Sequence, residues 1–105
     1  MAELSVTLYT SSFCGACTAA RVAVARAEEL LGDRVAWREV NVADAPAESE
    51  EAAITSTPTL VIRAAVPGAA ALEAPAGLDA PELFRASGAP TVPQLLTAIA
   101  AALPA

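Results

Sequence analysis

The chain has 105 residues, a length that suits one domain with a single hydrophobic core. Its net charge is −6 and its cations form no basic run, which argues against nucleic acid and anionic membranes as partners, because phosphate binding requires clustered Lys and Arg. Hydrophobic residues make up 55% of the chain, so a core can form, although much of that fraction is alanine.

Neither end of the chain shows an export or membrane signal. The first residues lack the basic and apolar regions of a signal peptide. The last twenty residues carry no charged side chain, but Pro90, Pro93 and Pro104 interrupt them, so they do not resemble a membrane span. We therefore expect a soluble, cytoplasmic protein, and in that compartment a lone Cys-x-x-Cys pair is more often catalytic than structural.

A cysteine pair follows the first predicted strand. The strand covers residues 4–10, a turn covers residues 11–13, and an amphipathic helix runs from about Cys14 to Leu31. Cys14 and Cys17, the only cysteines, therefore stand where a strand ends and a helix begins. The positive end of the helix dipole favours a thiolate at Cys14, and two thiols within one turn can close into a disulfide, so we interpret the pair as a redox centre.

Two other interpretations of the pair remain open. It could be half of a zinc site, but a structural site needs four ligands and the chain has no His and no third Cys, so zinc would require carboxylates or a second chain. The thiols could also be buried and inert. The strand, Cys-x-x-Cys and helix context favours redox chemistry over both.

The next elements complete a βαβ unit. The first helix has an apolar stripe that comprises Ala20, Val24, Ala27 and Leu31, with Ala23 and Leu30 beside it. Gly32 ends this helix, and residues 35–42 form a second strand that should lie parallel to the first. Asp44 is predicted to cap a short helix that has Pro46 in its first turn and reaches about Ala53. Its acidic residues are interpreted as solvated surface: Glu48, Glu50 and Glu51.

The second half of the chain is predicted less uniquely. Residues 57–62 form a third strand with Pro58 at its entrance. In the favoured interpretation, residues 64–80 are the loop of an extended hairpin and residues 82–86 are an antiparallel fourth strand. In the alternative, residues 70–75 form the strand and Asp79 caps an extra helix.

Both interpretations end in the same helix and predict a single domain. Thr91 and Gln94 form a capping box, and an apolar stripe follows at Val92, Leu95, Leu96, Ile99 and Leu103. The sequence shows neither an internal repeat nor an interdomain linker. We therefore expect one domain over residues 1–105, with an Ala/Pro/Gly-rich insertion at about 64–80.

The order of these landmarks resembles the thioredoxin superfamily. Residues 13–17, Phe-Cys-Gly-Ala-Cys, stand where the family has Trp-Cys-Gly-Pro-Cys, and Thr57-Pro58-Thr59 stands at the family's cis-proline, with thioredoxin-like spacing between them. Gly88 resembles the family's glycine at the sheet edge. The resemblance implies an α/β, thioredoxin-like fold: a central mixed four-stranded sheet flanked by helices, in βαβαββα order.

The resemblance also implies an enzyme, a thiol–disulfide oxidoreductase that reduces protein disulfides in electron transport and cell redox homeostasis. Cys14 would be the nucleophile and Cys17 the resolving thiol. The implied substrate-binding residues are Phe13, Gly15, Ala16, Thr57, Pro58 and Gly88. The implied redox group is the Cys14–Cys17 disulfide, with no metal and no other cofactor. The implied partners of this expected monomer are a protein disulfide and an upstream reductase.

Two positions depart from the family in a way that concerns proton transfer. Leu8 occupies the place where thioredoxins bury an aspartate, and Glu39 occupies the place of that aspartate's lysine partner. If Glu39 is buried, its charged form is disfavoured and it is the candidate proton acceptor for Cys17. Otherwise it faces solvent or pairs with an arginine such as Arg34 or Arg63.

Two other functions are kept as alternatives. Residues 77–79, Gly-Leu-Asp, look somewhat like the glutathione loop of glutaredoxins. However, Gly15-Ala16 stands where glutaredoxins carry Pro-Tyr, and Thr57 stands where they carry Val, so a glutaredoxin-like, glutathione-dependent reductase ranks second. A non-enzymatic binding module of the thioredoxin fold ranks third.

Ala16 in place of the thioredoxin proline should change the reduction potential.

Overall fold

A computed structural model of the chain describes residues 3–64 and 81–103. In these ranges four strands form one mixed sheet of order β2-β1-β3-β4: β1 (Leu4–Thr10), β2 (Val35–Asn41), β3 (Thr59–Ala64) and β4 (Glu82–Ser87). The α-helices are α1 (Gly15–Leu31), α2 (Pro46–Glu51) and α3 (Val92–Ala102), and a 3₁₀ turn covers Gly32–Arg34. The predicted fold class is confirmed, and the elements of the described residues follow the predicted βαβαββα order.

Strand β1 organises the sheet. It pairs in parallel with β2, where Leu8 lies opposite Glu39, and antiparallel with β3, where Leu8 lies opposite Leu60. The predicted parallel βαβ unit is therefore confirmed. Because successive strand residues point to opposite faces, β1 contributes to two separate cores.

The larger core lies between the sheet and helices α1 and α3. Its buried members are Leu4, Val6, Leu8, Ala20, Ala27, Val35, Leu60, Ile62, Leu95 and Ile99. The smaller core lies on the other face of the sheet and comprises Tyr9, Val40, Ala52 and Val61. The buried side of α1 carries alanines, whose small side chains allow the helix to approach the sheet closely. Leu30, expected beside this apolar stripe, is 54% exposed, so that part of the prediction is wrong.

The predicted cap of α2 is also wrong. Asp44 lies in a turn in which the Asn41 side chain accepts a hydrogen bond from the Ala43 N–H at 2.9 Å and the Asn41 carbonyl accepts one from the Asp44 N–H at 3.0 Å. The helix therefore begins after this turn, with Pro46 in its first turn as expected. It ends before Ala53, whose φ of 57° a helix cannot continue.

Glu48 is buried, in contrast to the solvated surface predicted for the α2 glutamates. Its side chain is 8% exposed, accepts a 2.9 Å hydrogen bond from the Tyr9 hydroxyl, and forms an ion pair with Arg38. Burial, followed by the hydrogen bond to Glu48, raises the pKa of Tyr9 to about 12. Polar groups therefore attach α2 to the sheet, since a charge is buried only when it has partners.

The antiparallel fourth strand of the favoured interpretation is confirmed, whereas residues 65–80, the predicted hairpin loop and insertion, lie outside the described residues. β4 is antiparallel to β3, and the predicted capping box opens α3: the Thr91 hydroxyl accepts from the Gln94 N–H at 3.2 Å, and the Gln94 side chain accepts from the Thr91 N–H at 2.9 Å. The alternative strand at 70–75, the helix from Asp79 and the loop at 77–79 lie outside the described residues. No helix in residues 3–64 or 81–103 is long and apolar enough to cross a membrane.

Candidate active site

The two cysteines occupy different environments at the start of α1. Cys14 is the residue that precedes the helix and has an extended backbone, whereas Cys17 lies in its first turn. They form a disulfide with a Cα–Cα distance of 5.2 Å. Cys14 is half-buried and Cys17 is fully buried. The Cys17 N–H donates a 3.1 Å hydrogen bond to the Cys14 sulfur, so a backbone donor already points at the more accessible atom.

The electrostatic setting favours an anion at Cys14 once the disulfide is reduced. The N-terminal end of a helix carries a partial positive charge and unpaired N–H groups. Residues 15–18, the first turn of α1, include no acidic side chain that would offset this charge. A thiolate at Cys14 therefore gains stabilisation that a thiol does not.

Phe13 precedes the pair in an unusual conformation. Its φ is 60°, in the left-handed region that non-glycine residues rarely adopt, and its side chain is fully exposed. The backbone therefore turns sharply between β1 and α1. The turn leaves an aromatic ring in solvent beside Cys14.

The loop before β3 is connected to the cysteine turn. The Thr57–Pro58 peptide bond is cis, as the resemblance implies. The hydroxyls of Ser11 and Thr57 are 2.6 Å apart and share a hydrogen bond, and the Pro58 carbonyl accepts a 2.8 Å hydrogen bond from the Gly88 N–H. Gly88 has a φ of 87°, which glycine adopts without strain. These contacts gather Thr57, Pro58 and Gly88 on the same end of the sheet as the turn that carries Cys14.

A polar cavity opens beside Cys14. It has a volume of about 410 Å³ and is lined by Ser11, Ser12, Phe13, Cys14, Gly15, Thr18, Arg21 and Asn41. We call it the Cys14 cavity. It lies at the carboxyl ends of the parallel strands β1 and β2, the usual place for a binding site in a sheet with parallel strands.

Glu39 does not lie in a buried floor beneath the cysteines, so of the two alternatives for this residue the solvent-facing, arginine-paired one holds. Its side chain is 44% exposed, because β2 is an edge strand of the sheet. Its carboxylate accepts a 2.8 Å hydrogen bond from Arg21 Nε and a 3.2 Å hydrogen bond from the Thr10 hydroxyl. The pairing with an arginine occurs, but the partner is Arg21 rather than Arg34 or Arg63. The burial on which a proton-acceptor role depended is absent.

Comparisons with known proteins agree on the architecture. A chloroplastic thioredoxin z has a TM-score of 0.74 at 19% identity, covering 94% of this chain and 77% of its own. Thioredoxin-2 of the malaria parasite has a TM-score of 0.77 at 15% identity, covering 94% and 82%. The germline-specific thioredoxin Deadhead of Drosophila melanogaster has a TM-score of 0.75 at 17% identity, covering 96% and 82%. No protein-family model and no curated protein matches the sequence.

The chain has the thioredoxin fold. At these identities the likeness concerns the fold, so what the site can do follows from its own chemistry. In this thioredoxin fold the predicted substrate-binding residues Gly15 and Ala16 are exposed beside the half-buried Cys14 sulfur. Among the described residues, no group of three or more Cys, His, Asp and Glu side chains is arranged to hold a metal ion.

Sequence reasoning missed two residues of this thioredoxin-fold site, Ser11 and Arg21. Ser11 was assigned only to a turn, and its hydrogen bond to Thr57 joins residues 46 apart in sequence. Arg21 lies off the apolar side predicted for the first helix, and the structure shows that it lines the Cys14 cavity. A signal for Arg21 was present in its position on α1, because Cys14, Thr18 and Arg21 are spaced i, i+4, i+7 and share one side of the helix.

Proposed function

We propose that the protein is a thiol–disulfide oxidoreductase that reduces disulfides of protein substrates through Cys14 and Cys17. The observation that carries this proposal is the asymmetry of the pair: a half-buried cysteine at the helix N-terminus is bonded to a fully buried one. A nucleophile must meet its substrate, whereas a resolving thiol must only meet the nucleophile. The proposal thus assigns the first role to Cys14 and the second to Cys17.

The reaction transfers two electrons from the reduced pair to the substrate. The Cys14 thiolate attacks one sulfur of the substrate disulfide, forming a mixed disulfide, and the other substrate sulfur leaves as a thiolate that takes up a proton. Cys17 then loses its proton and attacks the Cys14 sulfur. The Cys14–Cys17 disulfide forms, and the second substrate thiol is released. An external dithiol, or the dithiol of an upstream reductase in the cytoplasm, then reduces the Cys14–Cys17 disulfide and regenerates the two thiols.

The loop at Thr57–Pro58 completes the proposed site. The Ser11–Thr57 hydrogen bond holds this loop against the turn that carries Cys14. Gly88 supports it from the other side through the Pro58 carbonyl. An extended substrate segment can therefore lie between the exposed Phe13 ring and the loop, with its disulfide at Cys14.

The proposal is tested by trapping the mixed disulfide. Cys17→Ser, reduced and mixed with insulin, should form a covalent adduct at Cys14, because the resolving thiol is gone. Cys14→Ser is the matched control and should form none, because Cys17 is buried. The unmodified protein should accelerate insulin reduction by dithiothreitol. Equal adduct formation by both variants, or no acceleration, would contradict the proposal.

A further inference from the structure

The Cys14 cavity contains a single arginine, which the proposed reaction has not used. The cavity offers hydroxyls from Ser11, Ser12 and Thr18, the Asn41 amide and the Arg21 guanidinium. Arg21 follows Cys14 by seven residues, a rise of about 10 Å along the helix axis. Side chains on a helix lean toward its N-terminus, so the long Arg21 side chain extends back toward Cys14.

Arg21 retains capacity to bind a second carboxylate. Its Nε donates to Glu39 at 2.8 Å, and its side chain is 42% exposed. Arg34 and Arg85, in contrast, each engage a carboxylate through both Nε and Nη2. Among the described residues, Nε is the only nitrogen of Arg21 that donates a hydrogen bond to a carboxylate. A guanidinium binds a carboxylate best through two parallel N–H donors, and Arg21 can present its Nη groups to the cavity.

We propose that Arg21 is a specificity-determining residue that selects disulfide substrates with a carboxylate close to the attacked sulfur. This proposal rests on the proposed function of Cys14. A residue in an extended segment spans up to about 3.6 Å, so the carboxylate belongs within about three residues of the substrate cysteine. An acidic side chain at that distance reaches Arg21 while the sulfur reaches Cys14.

The ion pair between Glu39 and Arg21 limits the selectivity of Arg21 for acidic substrates. Glu39 holds Arg21 in place through Nε, and its own negative charge competes with a substrate carboxylate for the same cation. A glutamine at this position keeps an oxygen that can accept from Nε but removes the charge. Glu39→Gln should therefore increase the preference for acidic substrates.

The first experiment measures kcat/KM for three synthetic peptide disulfides with dithiothreitol as electron donor. The peptides differ only two residues from a cysteine, where they carry Asp, Asn or Lys. The protein should prefer Asp over Asn by roughly two- to fivefold, the range of an exposed ion pair, and salt should reduce this ratio. Arg21→Gln should bring the ratio to about one, and Glu39→Gln should raise it. Arg26→Gln is the matched control: Arg26 lies on the same helix, pairs with Glu29 and should leave the ratio unchanged.

A second measurement does not depend on disulfide reduction. Cys14 of the reduced protein is alkylated with iodoacetate or iodoacetamide, which differ by one negative charge, and labelling of Cys14 is followed by mass spectrometry. For each variant, the rate with iodoacetate is divided by the rate with iodoacetamide, which cancels any change in the reactivity of the Cys14 thiol. This ratio is then divided by the same ratio for dithiothreitol, which cancels the intrinsic difference between the two reagents. It should fall by roughly two- to fivefold in Arg21→Gln but not in Arg26→Gln.

The two measurements separate the possible failures. If the protein reduces no peptide, the proposed function fails, and the iodoacetate ratio still decides whether Arg21 attracts carboxylates. If Arg21→Gln changes neither ratio, the specificity role is overturned. Glutathione disulfide, tested as a fourth substrate, identifies the source of the carboxylate. If Arg21 increases the rate with glutathione disulfide but not with the Asp peptide, the substrate is a small anionic disulfide. If Arg21 increases the rate with the Asp peptide only, the substrate is an acidic protein segment.

Discussion

Cys14 immediately precedes helix α1 and Cys17 lies in its first turn, so two residues of the same type occupy different environments. The Cys14 sulfur accepts a backbone hydrogen bond and Cys14 is half-buried, whereas Cys17 is fully buried. The spacing of a Cys-x-x-Cys motif at a helix start is sufficient to produce this difference. Chemical reactivity should follow it.

We expect alkylation of the fully reduced protein at neutral pH to label Cys14 before Cys17. The reason is that a thiolate must be both formed and reached, and Cys17 is fully buried. Mass spectrometry of peptides after brief exposure to iodoacetamide gives the two rates. Equal rates would contradict the assignment of nucleophile and resolving thiol.

Glu39→Gln should not abolish disulfide reduction. A positioned acid–base group contributes roughly two to four orders of magnitude in rate, and that requires a protected geometry that the exposed, ion-paired Glu39 lacks. We therefore expect a loss below about tenfold with the Asn peptide, and no displacement of the pH–rate profile. A loss of about a hundredfold or more with an altered profile would restore Glu39 as the proton acceptor.

Among the helices and strands, the longer ones could be predicted because each contains enough residues to show a clear hydrophobic periodicity. The predicted bounds of β1 match those observed, and the predicted bounds of α1 and β2 differ from them by one residue each. The capping box at Thr91 and Gln94 predicts the start of α3. The short α2 was not predictable in detail: six residues are too few to define a buried stripe, so Glu48 could not be distinguished from its exposed neighbours. Its start depends on an Asn41 turn that competes with the Asp44 cap.

The candidate site, like the helices and strands, could be predicted only in part. The cysteines and Pro58 stand out by type and spacing. Ser11 does not, because its contact with Thr57, a residue far along the chain, leaves no period in the sequence. The spacing of Arg21 from Cys14 places the two on one side of α1, but the pairing of Arg21 with Glu39 leaves no such signal. Glu39 was placed on the correct strand, but its exposure depended on β2 being an edge strand, which pairing alone decides.

Tyr9→Phe should destabilise the protein by about 1–3 kcal/mol, because the buried Glu48 carboxylate loses a hydrogen-bond donor. Urea unfolding at pH 7 measures this change in the free energy of unfolding. Tyr9 has a folded-state pKa of about 12 against 10.0 for the free group, so its stabilising contribution is complete below pH 10 and is lost as the pH rises toward 12. The stability of the unmodified protein should therefore fall more steeply than that of Tyr9→Phe over this window. Parallel pH profiles would contradict the account of the buried pair.

Thr91→Ala should cost about 1 kcal/mol of stability, since it removes the side-chain acceptor of the α3 capping box. Thr97→Ala, an exposed change inside the same helix, is the matched control and should be nearly neutral, because alanine has the higher helix propensity. Urea unfolding compares the two variants. If both cost the same, the capping box contributes nothing specific.

For the molecule as a whole, the sheet separates two kinds of environment. One face, covered by α1 and α3, is an aliphatic core that supports the cysteine helix. The other face, under α2, combines a small apolar core with the Tyr9–Glu48–Arg38 contacts. The carboxyl ends of β1 and β2 meet beside the cysteines, so the fold presents Cys14 and a polar cavity together at one end of the sheet.

The most direct test of the central claim is the reduction potential of the Cys14/Cys17 couple. Equilibration of the protein in dithiothreitol buffers of graded composition, followed by acid quenching and mass measurement, gives the fraction of disulfide at each potential. A disulfide reductase should show a reversible two-electron transition near the value of about −270 mV that is characteristic of reducing members of this fold. A value near −120 mV would identify an oxidant instead. The absence of a reversible Cys14–Cys17 disulfide would contradict the redox function itself.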